Sequence, residues 1–138
     1  MNGFLLDTHV WIWVQQFNTK QFSVGFPEEI EHWQKLGRLY LSDISVWEVA
    51  RLVAEGHLDL GMSVDRFLAA STAQSGFKLR PLTSNILIES TRLPGNLHRD
   101  PADRMLVATA REHGLTLISR DKLLLQYGRR GHVSIRKP

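Results

Sequence analysis

Short apolar strands alternating with longer amphipathic helices predict an α/β fold, a three-layer α/β/α domain on a mainly parallel sheet of four or five short strands. Two observations carry this expectation. Short strand-like runs recur from Gly3 to Leu6, Leu39 to Leu41, Phe77 to Leu82 and Leu115 to Ile118, separated by segments of ten or more residues with helical periodicity. Gly37, Gly56, Gly76 and Gly114 each stand where one of those helices should stop, at the position that wants a left-handed residue.

The elements follow in order. The first strand runs into the polar pair Asp7-Thr8, and aliphatic and aromatic residues from Val10 to Val14 make the first helix. Gln15 to Phe26 is polar with scattered Phe and reads as a mobile or inserted loop. Pro27 with Glu28 and Glu29 starts a helix, since proline suits the first helical position and acids favour the positive end of the dipole. Ser42 to Glu55 carries Ile44, Trp47, Val49, Leu52 and Val53 at helical spacing. Ser63 caps a further helix that closes at Gly76, and Thr83 to Thr91 is another. After the irregular Pro94-Gly95 stretch, Asp100-Pro101 is the strongest helix start, a capping acid followed by proline, and Val133 to Ile135 is a short edge strand.

Composition narrows the function. A length of 138 residues predicts one domain, 1–138, able to bury a core without staples. The chain has no cysteine, which excludes a disulfide framework, a thiol nucleophile and a Cys zinc site, and fits a reducing, cytoplasmic setting. No apolar run approaches a membrane span, and the N-terminal run lacks the basic flank of a signal peptide. A Gly-rich phosphate loop of the Walker type is also missing.

The acids decide the chemistry. In an open parallel sheet, ligands bind beyond the carboxyl ends of strands. Asp7 follows the first strand, Asp121 follows the strand Leu115 to Ile118, Glu48 lies early in the helix after the second strand, and Asp103 sits at the third position of the helix capped by Asp100. Carboxylates gathered in one cleft must be protonated or neutralised by cations, and oxygen-only donors select hard ions, Mg2+ or Mn2+. Setting those four acids aside leaves 17 Lys and Arg against 10 acids, a surplus of +7 that suits a polyanion. Arg129, Arg130, Arg136 and Lys137 form a basic C-terminal strip that could touch phosphates or simply be solvated. An acidic metal centre inside a basic rim suggests phosphodiester hydrolysis by an activated water, with no nucleophilic side chain.

Four blocks, Phe4-Leu5-Leu6-Asp7-Thr8-His9, Ser42-Asp43-Ile44-Ser45-Val46-Trp47-Glu48, His98-Arg99-Asp100-Pro101-Ala102-Asp103-Arg104 and Ile118-Ser119-Arg120-Asp121, stand in an order that resembles PIN-domain ribonucleases, specifically the VapC toxins of bacterial toxin-antitoxin pairs. The resemblance runs from Met1 to about Ile135, and the segment 15–26 is its one departure. It implies a PIN-like fold and a Mg2+- or Mn2+-dependent endoribonuclease acting on RNA. Asp7, Glu48, Asp103 and Asp121 match the acidic catalytic and metal positions. Asp100, Ser119 and Ser45 match supporting polar positions, and Arg104 is an auxiliary candidate. A homodimer and a cognate VapB-like antitoxin are implied as partners.

Simpler roles compete residue by residue. Asp7 could end a strand in a turn, Asp100 and Asp121 could be helix caps, and Asp103 could complement a helix dipole. Arg99 and Arg104 could pair with the neighbouring acids, while His9 and His98 fit packing or hydrogen bonding better than ligation of a hard ion. Trp11, Trp13, Trp33 and Trp47 are expected in the core or at partner surfaces rather than stacked on bases. A non-catalytic PIN-like module that binds RNA or protein is the principal rival function. A phospho-acceptor receiver domain is disfavoured, because Asp7 is followed by Thr8-His9 rather than by a second acid.

Overall fold

The three central strands are apolar on both faces, and the two-residue period of a strand then requires a covering layer on each side. In the computed structural model, which describes residues 3–138, five strands form one parallel sheet. They are β1 (Phe4–Leu6), β2 (Leu39–Ser42), β3 (Lys78–Arg80), β4 (Thr116–Ile118) and β5 (Ile135–Arg136), in the spatial order β3-β2-β1-β4-β5. Phe4, Leu6, Leu39, Leu41 and Ile118 face one layer, where α1 (Thr8–Gln15), α2 (Phe26–Lys35), α3 (Asp43–Ala54) and α4 (Val64–Ala69) supply Trp11, Trp33, Val49 and Phe67. Leu5 and Leu117 face the other, against Ile86 of α5 (Ser84–Ser90), Leu106 and Val107 of α6 (Pro101–His113), and Leu124 and Tyr127 of α7 (Lys122–Arg129). The expected three-layer fold is present, with five strands all parallel.

The order of the strands positions the site. The chain lays down β1, β2 and β3 in one direction, then returns to place β4 on the opposite side of β1, and this reversal opens a crevice at the carboxyl ends of β1 and β4. The main-chain N–H of Asp7 donates to the Ile118 carbonyl at 3.0 Å, holding those two ends together.

Several elements differ from expectation for identifiable reasons. Thr8 belongs to α1 rather than to a strand end, because the Asp7 side chain accepts from the His9 and Val10 amides and starts the helix at once. The strand expected from Phe77 shrinks to Lys78–Arg80, since Phe77 turns into the core. The helix from Ser63 continues beyond α4 as a π-helical turn, Ala70–Gln74. Inside it Ser71 Oγ accepts from the Trp11 indole N–H at 2.9 Å and donates to the Phe67 carbonyl. The edge strand lies at Ile135–Arg136 rather than from Val133. Segment 15–26 is no free loop: it contains a 3-10 turn at Thr19–Gln21, Phe22 packs on Phe26 at 4.9 Å, and the Ser23 N–H and hydroxyl donate to the Pro138 carbonyl. At Gly114, φ of 63° closes α6 as expected.

Candidate active site

Asp7 caps α1 with Oδ1, which accepts from the His9 N–H at 2.9 Å and the Val10 N–H at 3.2 Å, while Oδ2 accepts the Ser119 hydroxyl at 2.5 Å. Ser119, fully buried, also accepts from the Asp121 N–H at 3.0 Å, so the ends of β1 and β4 are cross-linked through it. Burial pushes the Asp7 carboxyl up, against the downward pull of the Ser119 hydroxyl and the two amides.

Glu48 stands half-buried on α3, and Thr8 gives it a short hydrogen bond at Oε1. The Thr8 and Ser45 hydroxyls lie 2.9 Å apart. Thr8, held between the buried Ser45 and Glu48, orients the acid. Burial raises the Glu48 carboxyl, and the charges of Asp100 and Asp7 add to the effect.

Asp100 caps α6, its Oδ1 accepting the Asp103 N–H at 3.2 Å, and this sets Asp103 on the first turn. Asp103 Oδ2 meets His98 Nε2 at 2.7 Å. Burial, reinforced by Asp100 and Asp121, holds the Asp103 carboxyl up at about 6 despite that partner. Asp121 caps α7 through Oδ1 alone, which accepts from Leu123 and Leu124 at 2.9 and 3.0 Å. Capping therefore leaves Asp121 Oδ2 free, and in the same way Glu48 Oε2, Asp100 Oδ2 and Asp103 Oδ1 have no hydrogen-bond partner among the described residues.

These side chains converge. One cleft of about 260 Å³ is lined by Asp7, Glu48, Asp100, Asp103 and Asp121 together with Thr8, His9, Trp13, Leu106 and Arg120. No Lys or Arg forms an ion pair with any of the five acids among the described residues. A larger groove, about 360 Å³, runs past Val14, Phe22 and Ile30 but holds a single carboxylate, Glu31, and so lacks the chemistry of the smaller cleft. One ligand atom from each of His98, Asp103 and Asp121 falls within 4.8 Å of the others. Carboxylate oxygens left without a hydrogen bond or an ion pair to Lys or Arg fit a hard divalent ion.

Of the residues singled out in the sequence, Asp7, Glu48, Asp100, Asp103 and Asp121 line the cleft, with Ser119 and Ser45 immediately behind it. Arg104 is not brought there. Successive helical residues point about 100° apart, so next to Asp103 its guanidinium turns to the Ser90 and Leu97 carbonyls at 2.8 and 3.0 Å, pinning the loop that carries His98 rather than pairing with an acid. Arg99 is exposed and forms no ion pair among the described residues. His98 makes the expected kind of hydrogen bond, but to Asp103, and His9 is exposed on the cleft wall instead of packed. Thr8, Trp13 and Arg120 were missed as cleft residues; the position of Thr8 and Arg120 directly beside Asp7 and Asp121 was the available signal. The basic strip is partly consumed, since Arg136 pairs with Glu29 at 2.9 Å and Arg130 donates to the Asn96 carbonyl.

Comparison with known proteins gives the family of the chain. The pattern of the PIN domain matches residues 4–129. Ribonuclease VapC22 of Mycobacterium tuberculosis is 30% identical over 124 residues, which span 90% of this chain and 91% of that one. Among solved structures, VapBC2 from Rickettsia felis bound to a promoter DNA fragment matches with a TM-score of 0.72 at 12% identity, covering 97% of each chain. DNA-bound VapBC from Salmonella typhimurium matches with a TM-score of 0.65 at 20% identity, covering 99% and 98%. The two structures share the fold, and the sequence match reaches further: the chain belongs to the PIN domain family, as a VapC-type member.

Proposed function

We propose that this chain, as a single domain, is a Mg2+- or Mn2+-dependent endoribonuclease toxin that hydrolyses RNA phosphodiester bonds and is held in check by a VapB-like antitoxin. The observation that carries the reading is the convergence of Asp7, Glu48, Asp103 and Asp121 on one cleft in which, among the described residues, no Lys or Arg forms an ion pair with them. The family and the ribonuclease relative support the activity, and solved relatives described as VapBC complexes support the antitoxin. A homodimer and a cytoplasmic location belong to the same reading, and no described helix is long and apolar enough to cross a membrane.

Asp7, Asp103, Asp121 and Glu48 would hold the ion, which supplies water activation and neutralises charge at the phosphate. Asp7 is fixed by three donors, so its lone pairs keep one direction. Glu48 is aimed through Thr8 and Ser45, which leaves Oε2 without a hydrogen-bond partner among the described residues. Ser119 couples Asp7 to Asp121, so two of the acids share one rigid support. Asp100 keeps Asp103 on the first turn of α6.

The test is cleavage of RNA by the purified chain with and without Mn2+, alongside Asp7→Asn. Strand scission that needs the ion and disappears in the folded variant is expected. Scission that survives EDTA or Asp7→Asn would refute the mechanism, and RNA binding without ion-stimulated scission would favour the non-catalytic module.

A further inference from the structure

Among the described residues Arg120 is the only lysine or arginine lining the cleft, in a wall that carries five carboxylates. A guanidinium so placed gains most by closing on a carboxylate in a two-pronged pair. It forms no ion pair with them among the described residues. Its Nη1 donates instead to the main-chain carbonyl of Gln21 at 3.2 Å and to Gln21 Oε1 at 3.0 Å. Those acceptors sit on the Thr19–Gln21 turn, whose next residues are fastened by Phe22 on Phe26 and Ser23 on the Pro138 carbonyl. Only one nitrogen of the fork is used, so the exposed side chain keeps donors to spare.

A second observation comes from the same wall. Trp13 is the one tryptophan in the cleft and is half-buried, and His9, a turn earlier on α1, lies 6.0 Å away between ring centres. The chain passes from α1 to the turn that tethers Arg120. An exposed cation and a half-buried indole that line one cleft are the two parts of a grip on single-stranded nucleic acid, one for the phosphate and one for the base.

We propose that Arg120 and Trp13 form a nucleotide-binding subsite at the lip of the acidic cleft, Arg120 taking the phosphate next to the scissile one and Trp13 stacking the flanking base of a single-stranded RNA. The proposal rests on the ribonuclease reading of the same cleft. Gln21 is a positioning residue in it: two oxygens on a fastened turn hold the guanidinium off the carboxylates, which would otherwise cancel its charge.

The experiment measures fluorescence anisotropy of a labelled single-stranded RNA with Mn2+, across a range of NaCl concentrations, in the full chain carrying Asp7→Asn to prevent cleavage. Arg120→Ala should weaken binding about tenfold and reduce the slope of log affinity against log salt by about 0.7, the value for one phosphate contact on a single strand. Trp13→Leu, which keeps apolar bulk, should weaken binding about fivefold or more with the slope unchanged. Gln21→Ala removes Oε1 but leaves the main-chain carbonyl that also holds the guanidinium, so it should weaken binding and lower the slope less than Arg120→Ala does. Arg92→Ala, outside the cleft and paired with Glu89, should change nothing. Wild-type affinity and slope in Arg120→Ala would overturn the subsite, as would an affinity loss in Arg120→Ala with the slope unchanged, which would mean that Arg120 merely braces the turn. If the chain with Asp7 intact cleaves RNA while Arg120→Ala binds normally, the subsite alone falls; if it neither binds nor cleaves RNA, the ribonuclease reading falls with it.

Discussion

Asp103→Asn should make the metal-free protein more stable near neutral pH, against the usual direction for substitutions at half-buried positions. Burial, with Asp100 and Asp121 close by, raises the Asp103 carboxyl from 3.8 to about 6. The folded state then holds the proton more tightly than the unfolded chain. The carboxyl therefore costs nothing below the unfolded value, destabilises progressively as the pH climbs to about 6, and carries its full cost above that. Taken whole, the gap corresponds to about 3 kcal/mol. The side chain is 21% exposed, and solvent screening reduces the figure to about 1–2 kcal/mol. Asparagine keeps the shape, can still meet His98, and leaves the cap alone because Asp100 binds the main-chain N–H of residue 103. Urea denaturation in EDTA, followed by tryptophan fluorescence, should show the variant more stable by that amount, a Tm higher by about 3–6 °C, with the difference shrinking in acid. Excess Mn2+ should reverse the order by stabilising the wild type far more than the variant. A variant that is less stable in EDTA at neutral pH would refute the account, since Asp103 would then be held by favourable contacts rather than strained by its neighbours.

The other predictions concern the supports of the site. Ser119→Ala removes the donor to Asp7 and the acceptor for the Asp121 N–H; it should cost about 1.5–3 kcal/mol in urea denaturation near neutral pH and lower RNA cleavage, and full activity in the variant would dismiss Ser119 as a support. Arg104→Ala leaves the Ser90 and Leu97 carbonyls without their donor and should cost about 2–3 kcal/mol, with faster amide exchange across residues 91–100. Arg104→Lys should recover only part of this, because an ammonium lacks the planar fork.

What could be read in advance was set by short-range chemistry. Asp7 was visible because it ends a strand at the rim of a parallel sheet and three more acids stand in matching blocks, and Asp100-Pro101 announced α6 through capping geometry that spans only three residues. Glu48 was harder: helical spacing gives its position on α3 but not the direction of its carboxylate, which depends on Thr8, 40 positions away. Arg120 was passed over as a step between Ser119 and Asp121, because its direction is set by Gln21, 99 positions away. The π-helical turn was equally hidden, since it accompanies a bond between Trp11 and Ser71, 60 positions apart. Arg136 looked like part of a free basic strip, yet Glu29 and the ring of Trp33 hold it. In each missed case the deciding partner lay far along the chain, where no local pattern reaches.

The placing of β1 between β2 and β4 also sets a timetable for synthesis. Phe4 pairs with Thr116 and Asp7 binds Ser119, so β1 and the acid after it wait for partners made 112 positions later. A nascent chain emerges from its amino end, and any length that stops short of Asp121 lacks one wall of the cleft altogether. A growing polypeptide therefore carries no complete acidic cleft until Asp121 has been made.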